Sequence, residues 1–277
     1  MEKLLKSDFP LNSFGINSGT GVLDIEVDTD RTSENLDEEL QEFVGENVPI
    51  NVTYDAYDAS FQGYCSGQSG DCTTIIGASK GENGNNGLDC TINIASTKTV
   101  RGTTIDGVII PHHCNTGYDD YYQNDKNDFT EKVGRHHTTG DWYGHYCDCD
   151  FIENTSSRST NDSTLNYNGN NLPVGSRADL AVGDSVYMIG QYSGLDFGTI
   201  AEVNKTQFVG GKYLTNLYYV TGINFDSGDS GAPVVKSSGT VYGGMNVGAG
   251  TETINGQSTS VNYAHDWTYL KSSMGLN

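Results

Sequence analysis

Regular turn signals with almost no helical periodicity constrain the fold of this sequence more than any other feature. From about Tyr57 onward, short apolar or alternating segments are separated by turns rich in Gly and Asn. The 277 residues include 35 glycines and 17 tyrosines but only 5 prolines. Aromatic residues favour strands, whereas Gly and Asn favour tight turns. Because these strands lack the spacing of βαβ units, the pattern predicts antiparallel barrels or sandwiches. One closing helix is predicted at the end of the chain, from Ala264, Trp267, Leu270 and Lys271.

The charge balance excludes two classes of partner. Lys and Arg number 15 against 36 Asp and Glu, which gives a net charge of −21. A surface this negative repels phosphate backbones and anionic lipids, so we expect no nucleic acid and no membrane as a partner. Six cysteines in a polar chain with few lysines are typical of exported proteins that carry up to three disulfides. The composition therefore predicts a secreted, extracellular protein.

Residues 1–56 differ from the remainder and predict a small β-α-β unit. Residues 21–28 alternate apolar and acidic side chains, as a half-buried strand does. Thr32 and Ser33 are good caps for a helix that ends at Gly45, and residues 48–54 predict a second strand. Because so short a unit buries little apolar surface, we expect it to dock on something larger. The remaining domain is expected over residues 57–277.

Two segments rich in Asp, Asn and Tyr, residues 117–128 and 156–171, are predicted to be loops. The acidic stretch at residues 119–128 lacks the Gly and the terminal Glu of a helix-loop-helix calcium site. We therefore expect a solvated acidic loop there, and we interpret Tyr121 and Tyr122 as rim or core packing.

The strongest chemical signal is a serine that lies between an acid and a glycine at the entry to an apolar strand. Residues 228–233 read Gly-Asp-Ser-Gly-Ala-Pro, with Ser230 at the third position. Glycines allow a sharp turn, so the backbone N–H groups of Gly228 and Ser230 can both point to one spot beside the hydroxyl. Two such donors stabilise the oxyanion of an acyl-transfer intermediate. The alternative interpretation is an ordinary Gly/Ser hairpin.

A nucleophilic serine needs a base, and the base needs an anion that orients it. His113 follows the apolar run of residues 107–111 after His112, and an imidazole can accept and return a proton near neutral pH. Asp148 and Asp150 lie at the start of another apolar segment and are the candidate anions. The three residue types together, each at a strand boundary, favour acyl transfer over chance polar positions.

These segments resemble the chymotrypsin-type serine proteases. The Gly-Asp-Ser-Gly-Ala-Pro segment is similar to that family's nucleophile motif, and His113-Cys114 is similar to its Thr-Ala-Gly-His-Cys segment. Asp148 with residues 149–152 matches the pattern around the family's aspartate, and the chain order His, Asp, Ser is the same. Residues 182–190 and 193–200 resemble the bacterial streptogrisin and α-lytic protease group. Residues 1–56 resemble the last part of that group's pro-region, which implies a zymogen.

The resemblance implies a fold and a set of roles. It implies two six-stranded antiparallel β-barrels with a boundary near residues 160–180, followed by a C-terminal helix. It implies a serine endopeptidase that acts on protein or peptide substrates, as a monomer and without cofactor or metal. His113, Asp148 and Ser230 would form the catalytic triad, with the N–H groups of Gly228 and Ser230 as the oxyanion hole. By alignment, Asn224 lies at the base of the primary specificity pocket. Gly243 and Gly244 lie in the strand that pairs with substrate.

The sequence departs from the family in three places that bear on the site. Ile110-Pro111-His112 replaces Thr-Ala-Gly before the catalytic histidine, and Asp150 occupies a position where the family prefers a small residue, which leaves it a rival orienting acid. Met188 replaces the arginine that pairs with the aspartate before the nucleophile, so Asp229 needs another partner. The sequence leaves Arg177 and a newly freed amino terminus as alternatives.

The cysteines are assigned partly by resemblance. Cys90–Cys114 resembles the family's disulfide beside the catalytic histidine, and Cys65–Cys72 would close a short hairpin loop. The disulfide that the bacterial branch has between the two later blocks is replaced by Tyr187 and Phe197, which could pack together. The close spacing of Cys147 and Cys149 makes a mutual disulfide strained, so pairing elsewhere, a reduced state and metal binding stay open.

Two other functions compete with proteolysis. The first is a catalytically inactive, protease-like binding or adhesion module, which the presence of all three triad residues disfavours. The second is metal binding, because histidines and cysteines recur at residues 112–114, 136–137, 145 and 147–149. None of these groups has an established zinc spacing, so we predict no metal site.

Overall fold

The computed structural model describes residues 11–16, 23–28, 40–41, 49–55, 65, 67, 70–115, 120–139, 147–209, 211–237 and 240–277. The chain divides into two units, residues 1–62 with 237–239 and residues 63–236 with 240–277. The division predicted after residue 56 falls in residues 56–64, which lie outside the described ranges.

The first unit contains a three-stranded sheet. Its strands are β1 (Leu11–Ile16), β2 (Leu23–Asp28) and β3 (Ile50–Asp55). β1 and β2 are antiparallel, whereas β2 and β3 are parallel neighbours. Parallel neighbours require a crossover connection, and Leu40 and Gln41 between them are helical. Both predicted strands are therefore present, β1 is an additional strand, and the rest of the predicted helix lies outside the described residues.

The second unit begins with a barrel of short strands. The strands in this part of the chain are β4 (Ile75–Gly77), β5 (Lys80–Asn83), β6 (Asp89–Thr91), β7 (Ala95–Val100), β8 (Thr103–Ile110), β9 (Asp120–Gln123), β10 (Lys132–Thr139), β11 (Asp150–Asn154), β12 (Thr160–Tyr167) and β13 (Asn170–Pro173). The main sheet has the order β6-β5-β9-β10-β11-β8-β7. The residues that connect β6 to β7 are also hydrogen-bonded to neighbouring segments. The backbone N–H of Ala78 donates to Ile92 (2.7 Å), and that of Asn93 donates to Ile109 of β8 (2.9 Å). β6 and β7 thus act as one bent strand, and six antiparallel strands close the barrel.

The second barrel follows after residue 175. Its elements are β14 (Ser176–Arg177), β15 (Ser185–Gly190), β16 (Gly194–Val209), β17 (Lys212–Thr221), β18 (Pro233–Lys236), β19 (Val241–Ile254), β20 (Gln257–Asp266) and the helix α1 (Trp267–Met274). Six strands close in the order β15-β16-β17-β20-β19-β18, and each neighbouring pair is antiparallel. The two predicted six-stranded barrels and the closing helix are therefore confirmed. Ala264, predicted in the helix, lies in β20 instead.

Apolar side chains fill each barrel and the space between the barrels. One cluster in the first barrel includes Ile75, Ile92 and Ile152, and one in the second includes Val186, Ile200 and Val234. A third cluster draws on both barrels, from Ile109 and Phe151 in the first to residues of β17–β20 in the second. Burial at this seam fixes the strand ends of the two barrels against each other. Among the described residues no helix is long and apolar enough to cross a membrane.

Two segments predicted as loops contain strands. β9 lies within residues 117–128, and its Tyr121 is fully buried while Tyr122 is 6% exposed. β12 lies within residues 156–171, β13 begins there and ends at Pro173, and the two strands form a hairpin. The Asp and Asn content misled the prediction because these side chains cap turns and cover the outer faces of otherwise ordinary strands.

The six cysteines form three disulfides, Cys65–Cys72, Cys90–Cys114 and Cys147–Cys149. The first two pairs are those predicted. The third is the mutual pair that the sequence analysis judged strained, so the alternatives of pairing elsewhere, a reduced state and metal binding are wrong. Tyr187 and Phe197 pack edge to face with ring centroids 6.3 Å apart, as predicted for the positions where the bacterial branch has a disulfide.

Loop length predicts different energetic roles for two of the disulfides. Cys90–Cys114 spans 24 residues, and Cys147–Cys149 spans 2. Closing the longer loop removes more chain entropy from the unfolded state. We expect Cys90→Ser/Cys114→Ser to lower the free energy of unfolding by about 3 kcal/mol, and Cys147→Ser/Cys149→Ser by about 1–2 kcal/mol, in urea titrations. Non-reducing peptide maps that link Cys114 to a cysteine other than Cys90 would contradict the assignment.

Candidate active site

Ser230 lies in the turn that leads into β18. Gly228 and Gly231, on either side of it, have φ angles of +98° and +97°, which favour glycine. A Cβ atom at Gly231 would overlap the carbonyl of Thr91, so close approach of the two barrels also requires glycine there. Within the described part of the chain, the backbone N–H groups of Gly228 and Ser230 donate to no protein acceptor. Both donors are thus available to a ligand beside Ser230.

Asp229 anchors this turn from inside the protein. Its carboxylate has no exposed surface. Oδ1 accepts hydrogen bonds from the backbone N–H groups of Tyr192 (2.9 Å) and Ser193 (3.3 Å). Oδ2 accepts from the Ser193 hydroxyl (2.5 Å) and from the backbone N–H of Asp226 (3.0 Å). Four donors replace the missing cation, because hydrogen bonds to the charged form of a carboxylate offset its desolvation.

Two partners were predicted as alternatives for Asp229, and the prediction of Arg177 is wrong. Its guanidinium donates to Ser96 Oγ (3.1 Å) and to the carbonyl of Ala95 (3.0 Å), and it lies 5.0 Å from the ring centroid of Trp267. The amino terminus lies outside the described residues. Ser193 was not among the predicted site residues, although it begins the block of residues 193–200 that carries the family resemblance.

His113 lies in a 3-10 turn, His112–Asn115, directly after β8. Its backbone N–H donates to Oδ1 of Asp148 (2.8 Å), and its ring Nδ1 is 2.5 Å from Oδ2 of the same carboxylate. The imidazole side chain is 42% exposed, whereas that of Asp148 is 14% exposed. Asp148 therefore holds both the backbone and the ring of His113 while the far side of the ring stays open to solvent.

The rival acid is engaged elsewhere. Asp150 has no exposed surface, and its Oδ1 lies 2.9 Å from Nδ1 of His112. Two neighbouring histidines thus contact two alternate aspartates, and the open imidazole belongs to the pair His113–Asp148.

Electrostatics within this pair favour an ion pair. Burial disfavours a charged imidazole, but the hydrogen bond and negative charge of Asp148 outweigh burial and raise the pKa of His113 above its ordinary value. Burial likewise disfavours the carboxylate, but contacts with His113 lower the pKa of Asp148. The positive charge of Lys212 acts on His113 in the opposite direction and lowers its pKa.

His265, which was not among the predicted site residues, positions Asp148. This fully buried residue of β20 accepts a hydrogen bond at Nε2 from the backbone N–H of Asp148 (3.0 Å). Its Nδ1 lies 3.0 Å from the carbonyl oxygen of Thr215. Burial lowers the pKa of His265 to about 4 although the Asp148 charge opposes this. The neutral ring therefore donates to Thr215, accepts from Asp148 and joins the two barrels. The available signal was a histidine that directly follows Tyr263 and Ala264 near the end of β20.

Contacts across the barrel seam link the serine turn to the histidine turn. The backbone N–H of Thr91 donates to the carbonyl of Ser230 (2.8 Å), and the Thr91 hydroxyl donates to the carbonyl of Gly228 (3.2 Å). Cys90, next to Thr91, is bonded to Cys114, next to His113. Among the described side chains, the Ser230 hydroxyl and the His113 ring are not joined by a hydrogen bond. The disulfide sulfurs lie within 4.8 Å of a His113 ring nitrogen, but bonded sulfurs offer no thiolate to a metal.

The predicted substrate-binding residues have different surroundings. Asn224 is exposed, and its backbone N–H donates to Oδ2 of Asp196 (2.9 Å). Gly244 pairs with Val234 on one side and with Asp266 on the other, and Gly243 is buried against Leu180. Pairing of substrate with Gly243 and Gly244 is therefore wrong, because this part of β19 has no free edge.

The free edge of β19 begins further along the strand. Its pairing with β18 ends at Met245, and Asn246 then accepts a hydrogen bond at its carbonyl from the N–H of Gly231 (2.8 Å). From Val247 onward β19 pairs with β20 alone in the described residues. This edge begins beside Gly231, the neighbour of Ser230.

The fold and the serine turn define a class of structure, the chymotrypsin-like fold of bacterial serine proteases. Among solved structures, Thermobifida fusca protease A matches with a TM-score of 0.57 and 22% identity, over 74% of this chain and 97% of that chain. Nocardiopsis protease matches with a TM-score of 0.56 and 20% identity, over 74% and 98%. An α-lytic protease homologue matches with a TM-score of 0.55 and 20% identity, over 73% and 98%. No family model and no curated protein matches the sequence.

The Asp229 network predicts a large effect for a small substitution. Ser193→Ala removes the shortest of four hydrogen bonds to a buried carboxylate. Hydrogen bonds to charged groups contribute about 1.5–3 kcal/mol, so we expect the free energy of unfolding to fall by that amount in urea titrations. Ser185→Ala, at an exposed position of β15, is the matched control and should change stability by less than about 0.5 kcal/mol. Equal effects of the two substitutions would contradict this role of Ser193.

Proposed function

We propose that this chain is a serine endopeptidase that hydrolyses peptide bonds through Ser230, His113 and Asp148. The observation that carries the proposal is that Asp148 contacts His113 twice, at the backbone N–H and at Nδ1 of the ring. This contact leaves Nε2 on the open side of the ring as the base. The two hydrogen bonds of Thr91 hold the Ser230 turn to the first barrel, the barrel that carries His113.

The proposed reaction proceeds by acyl transfer. Ser230 Oγ attacks the carbonyl carbon of the scissile peptide, and its proton passes to Nε2 of His113. The imidazolium then gives this proton to the leaving amine, the C–N bond breaks, and an acyl-enzyme ester remains on Ser230. Water attacks the ester with His113 again as base, which releases the acid product and restores the serine. Asp148 stabilises the imidazolium in both halves of the reaction.

Two backbone donors would bind the developing oxyanion. The N–H groups of Gly228 and Ser230 have no protein acceptor in the described residues, and their turn is fixed by Asp229 and Thr91. Donors held in place before the reaction stabilise charge that develops in the transition state without a reorganisation cost. Asn224 stays our proposal for the base of the specificity pocket.

We propose that substrate binds as an added strand on the free edge of β19 at residues 247–250. An extended peptide there would gain backbone hydrogen bonds by β-augmentation. Residues 247–250 thus take the substrate-pairing role that the sequence assigned to Gly243 and Gly244. A peptide bound there would have its scissile bond near Ser230. The substrate is a protein or peptide.

Three further properties belong to the proposal. Three disulfides support secretion, because such bonds persist in oxidising compartments. The net charge of −21 opposes self-association and supports a monomer. The N-terminal β-α-β unit supports a zymogen, and hydrolysis by the full chain without processing near residues 50–65 would contradict that part.

A fluorophosphonate probe tests the proposed enzyme against an inactive binding module. We expect the wild type to be labelled covalently on Ser230 and to hydrolyse a casein substrate. Ser230→Ala should abolish labelling, and His113→Ala should lower the labelling rate by at least about 10³-fold. Ser227→Ala, a serine of the same turn, is the matched control and should be labelled at a rate near the wild type. No labelling of the full chain or of the processed chain would favour the binding module.

The electrostatics of His113 predict the acidic limb of the pH profile. The base must be neutral, and its pKa is raised, so kcat/KM should increase with pH through an apparent pKa above 6.5. Lys212→Gln removes a positive charge that opposes protonation, so the limb should move to higher pH by a few tenths of a pH unit. Lys205→Gln, on the same hairpin but paired with Glu202, is the control and should leave the limb in place. Movement to lower pH in Lys212→Gln would contradict the assignment of His113 as base.

A further inference from the structure

A second histidine–aspartate pair lies beside the proposed catalytic pair. His112 is 2% exposed and Asp150 has no exposed surface. Nδ1 of His112 lies 2.9 Å from Oδ1 of Asp150. The contact is therefore enclosed by protein, unlike that of His113, whose ring is open to solvent on one side. Because His112 is buried, it has no access to a substrate.

The two pairs join the same two segments. His112 and His113 are consecutive in the 3-10 turn, while Asp150 is the first residue of β11 and Asp148 lies two residues before it. Nδ1 of His112 contacts Asp150, and Nδ1 of His113 contacts Asp148. Each carboxylate therefore meets one of the two neighbouring rings. The His112–Asp150 contact thus adds a second side-chain contact between these two segments, beside the two hydrogen bonds of Asp148 to His113 and the Cys90–Cys114 disulfide.

Further polar groups hold Asp150 in place. Nδ2 of Asn115 is 3.5 Å from its Oδ2, and Asn115 in turn accepts a hydrogen bond from Asn83 (2.8 Å). Nε2 of His136 lies 3.8 Å from Oδ1. Asn83, Asn115 and Asp150 are all without exposed surface. The second pair is thus part of a polar network that reaches from β5 through the histidine turn to β11.

A buried pair of this kind is a poor source of stability, because desolvation of the two groups offsets most of their attraction. Such a pair fixes geometry instead, since leaving either partner unpaired is costly. The turn needs this, because Ile110-Pro111-His112 replaces the small residues that precede the histidine in the proteases this chain resembles.

We propose that His112 and Asp150 form a positioning pair that orients the His113 ring against Asp148. The inference rests on the proposed function for its catalytic consequence, but the orientation of His113 is a property that can be measured without activity. In this arrangement Asp150 is not a substitute for Asp148 but the reason that His113 faces Asp148.

Substitutions of His112 in the full chain test the proposal. His112→Ala removes the contact with Asp150, whereas His112→Asn places an amide N–H close to the former position of Nδ1. In His112→Ala we expect kcat per labelled active site to fall by about 10–100-fold, with KM within about 2-fold of wild type. His112→Asn should recover most of the loss. His137→Ala, a histidine of β10 that contacts neither aspartate in the described structure, is the matched control and should keep the wild-type kcat.

NMR titration of the His113 ring gives a readout that does not depend on catalysis. Because Asp148 raises the pKa of His113, a loosened contact should lower that pKa in His112→Ala, and His112→Asn should restore it. A purely structural role would lower the folded fraction but leave both the pKa of His113 and kcat per active site unchanged, which would overturn the proposal. Asp150→Asn gives the same comparison if His112→Ala does not fold.

The two readouts separate failure of the positioning role from failure of the proposed function. An unlabelled, inactive wild type whose His113 pKa still responds to His112→Ala would overturn the protease and keep the positioning pair. An active wild type whose His113 pKa and kcat ignore His112→Ala would keep the protease and overturn the pair.

Discussion

Burial of three aspartate carboxylates is the constraint on which the structure of this site depends. Asp148, Asp150 and Asp229 are each largely or wholly buried, and none has a lysine or arginine as its partner in the described structure. Each carboxylate therefore needs hydrogen-bond donors from its surroundings. Asp148 takes them from His113, Asp150 from His112 and Asn115, and Asp229 from Ser193 and three backbone N–H groups. Satisfying these anions fixes the histidine turn and the serine turn together.

The network around Asp229 bears on how such a protein can be controlled. Where an aspartate of this kind waits for a new amino terminus, its turn is incomplete until cleavage. Here four donors already fill its lone pairs, all from residues 192–226 of the same unit. The turn that carries Gly228 and Ser230 is thus organised without a terminal ammonium group.

Sequence predicted the parts of the site that depend on local order. The Ser230 turn requires glycines with positive φ at fixed offsets, and the two barrels follow from short strands and frequent turns, so both were readable. Partners distant in sequence were not. Ser193 contacts Asp229, 36 positions away, and His265 contacts Asp148, 117 positions away. Neither a serine nor a histidine by itself indicates such a contact. Gly243 and Gly244 were misplaced because pairing on both sides of β19 depends on barrel closure. The disulfide Cys147–Cys149 was not predicted, because the close spacing of the two cysteines was the only information that the sequence offered.

Two imidazoles flank Asp148, and burial gives them opposite behaviour. His265 is enclosed, and its pKa of about 4 keeps it neutral over the range in which proteases of neutral pH operate. His113 is open on one side and contacts the carboxylate directly, so its pKa lies above the ordinary value. The pKa values of the two rings are therefore shifted in opposite directions. Asp148 can therefore stabilise a proton on the ring of His113 while the ring of His265 accepts a hydrogen bond from its backbone N–H.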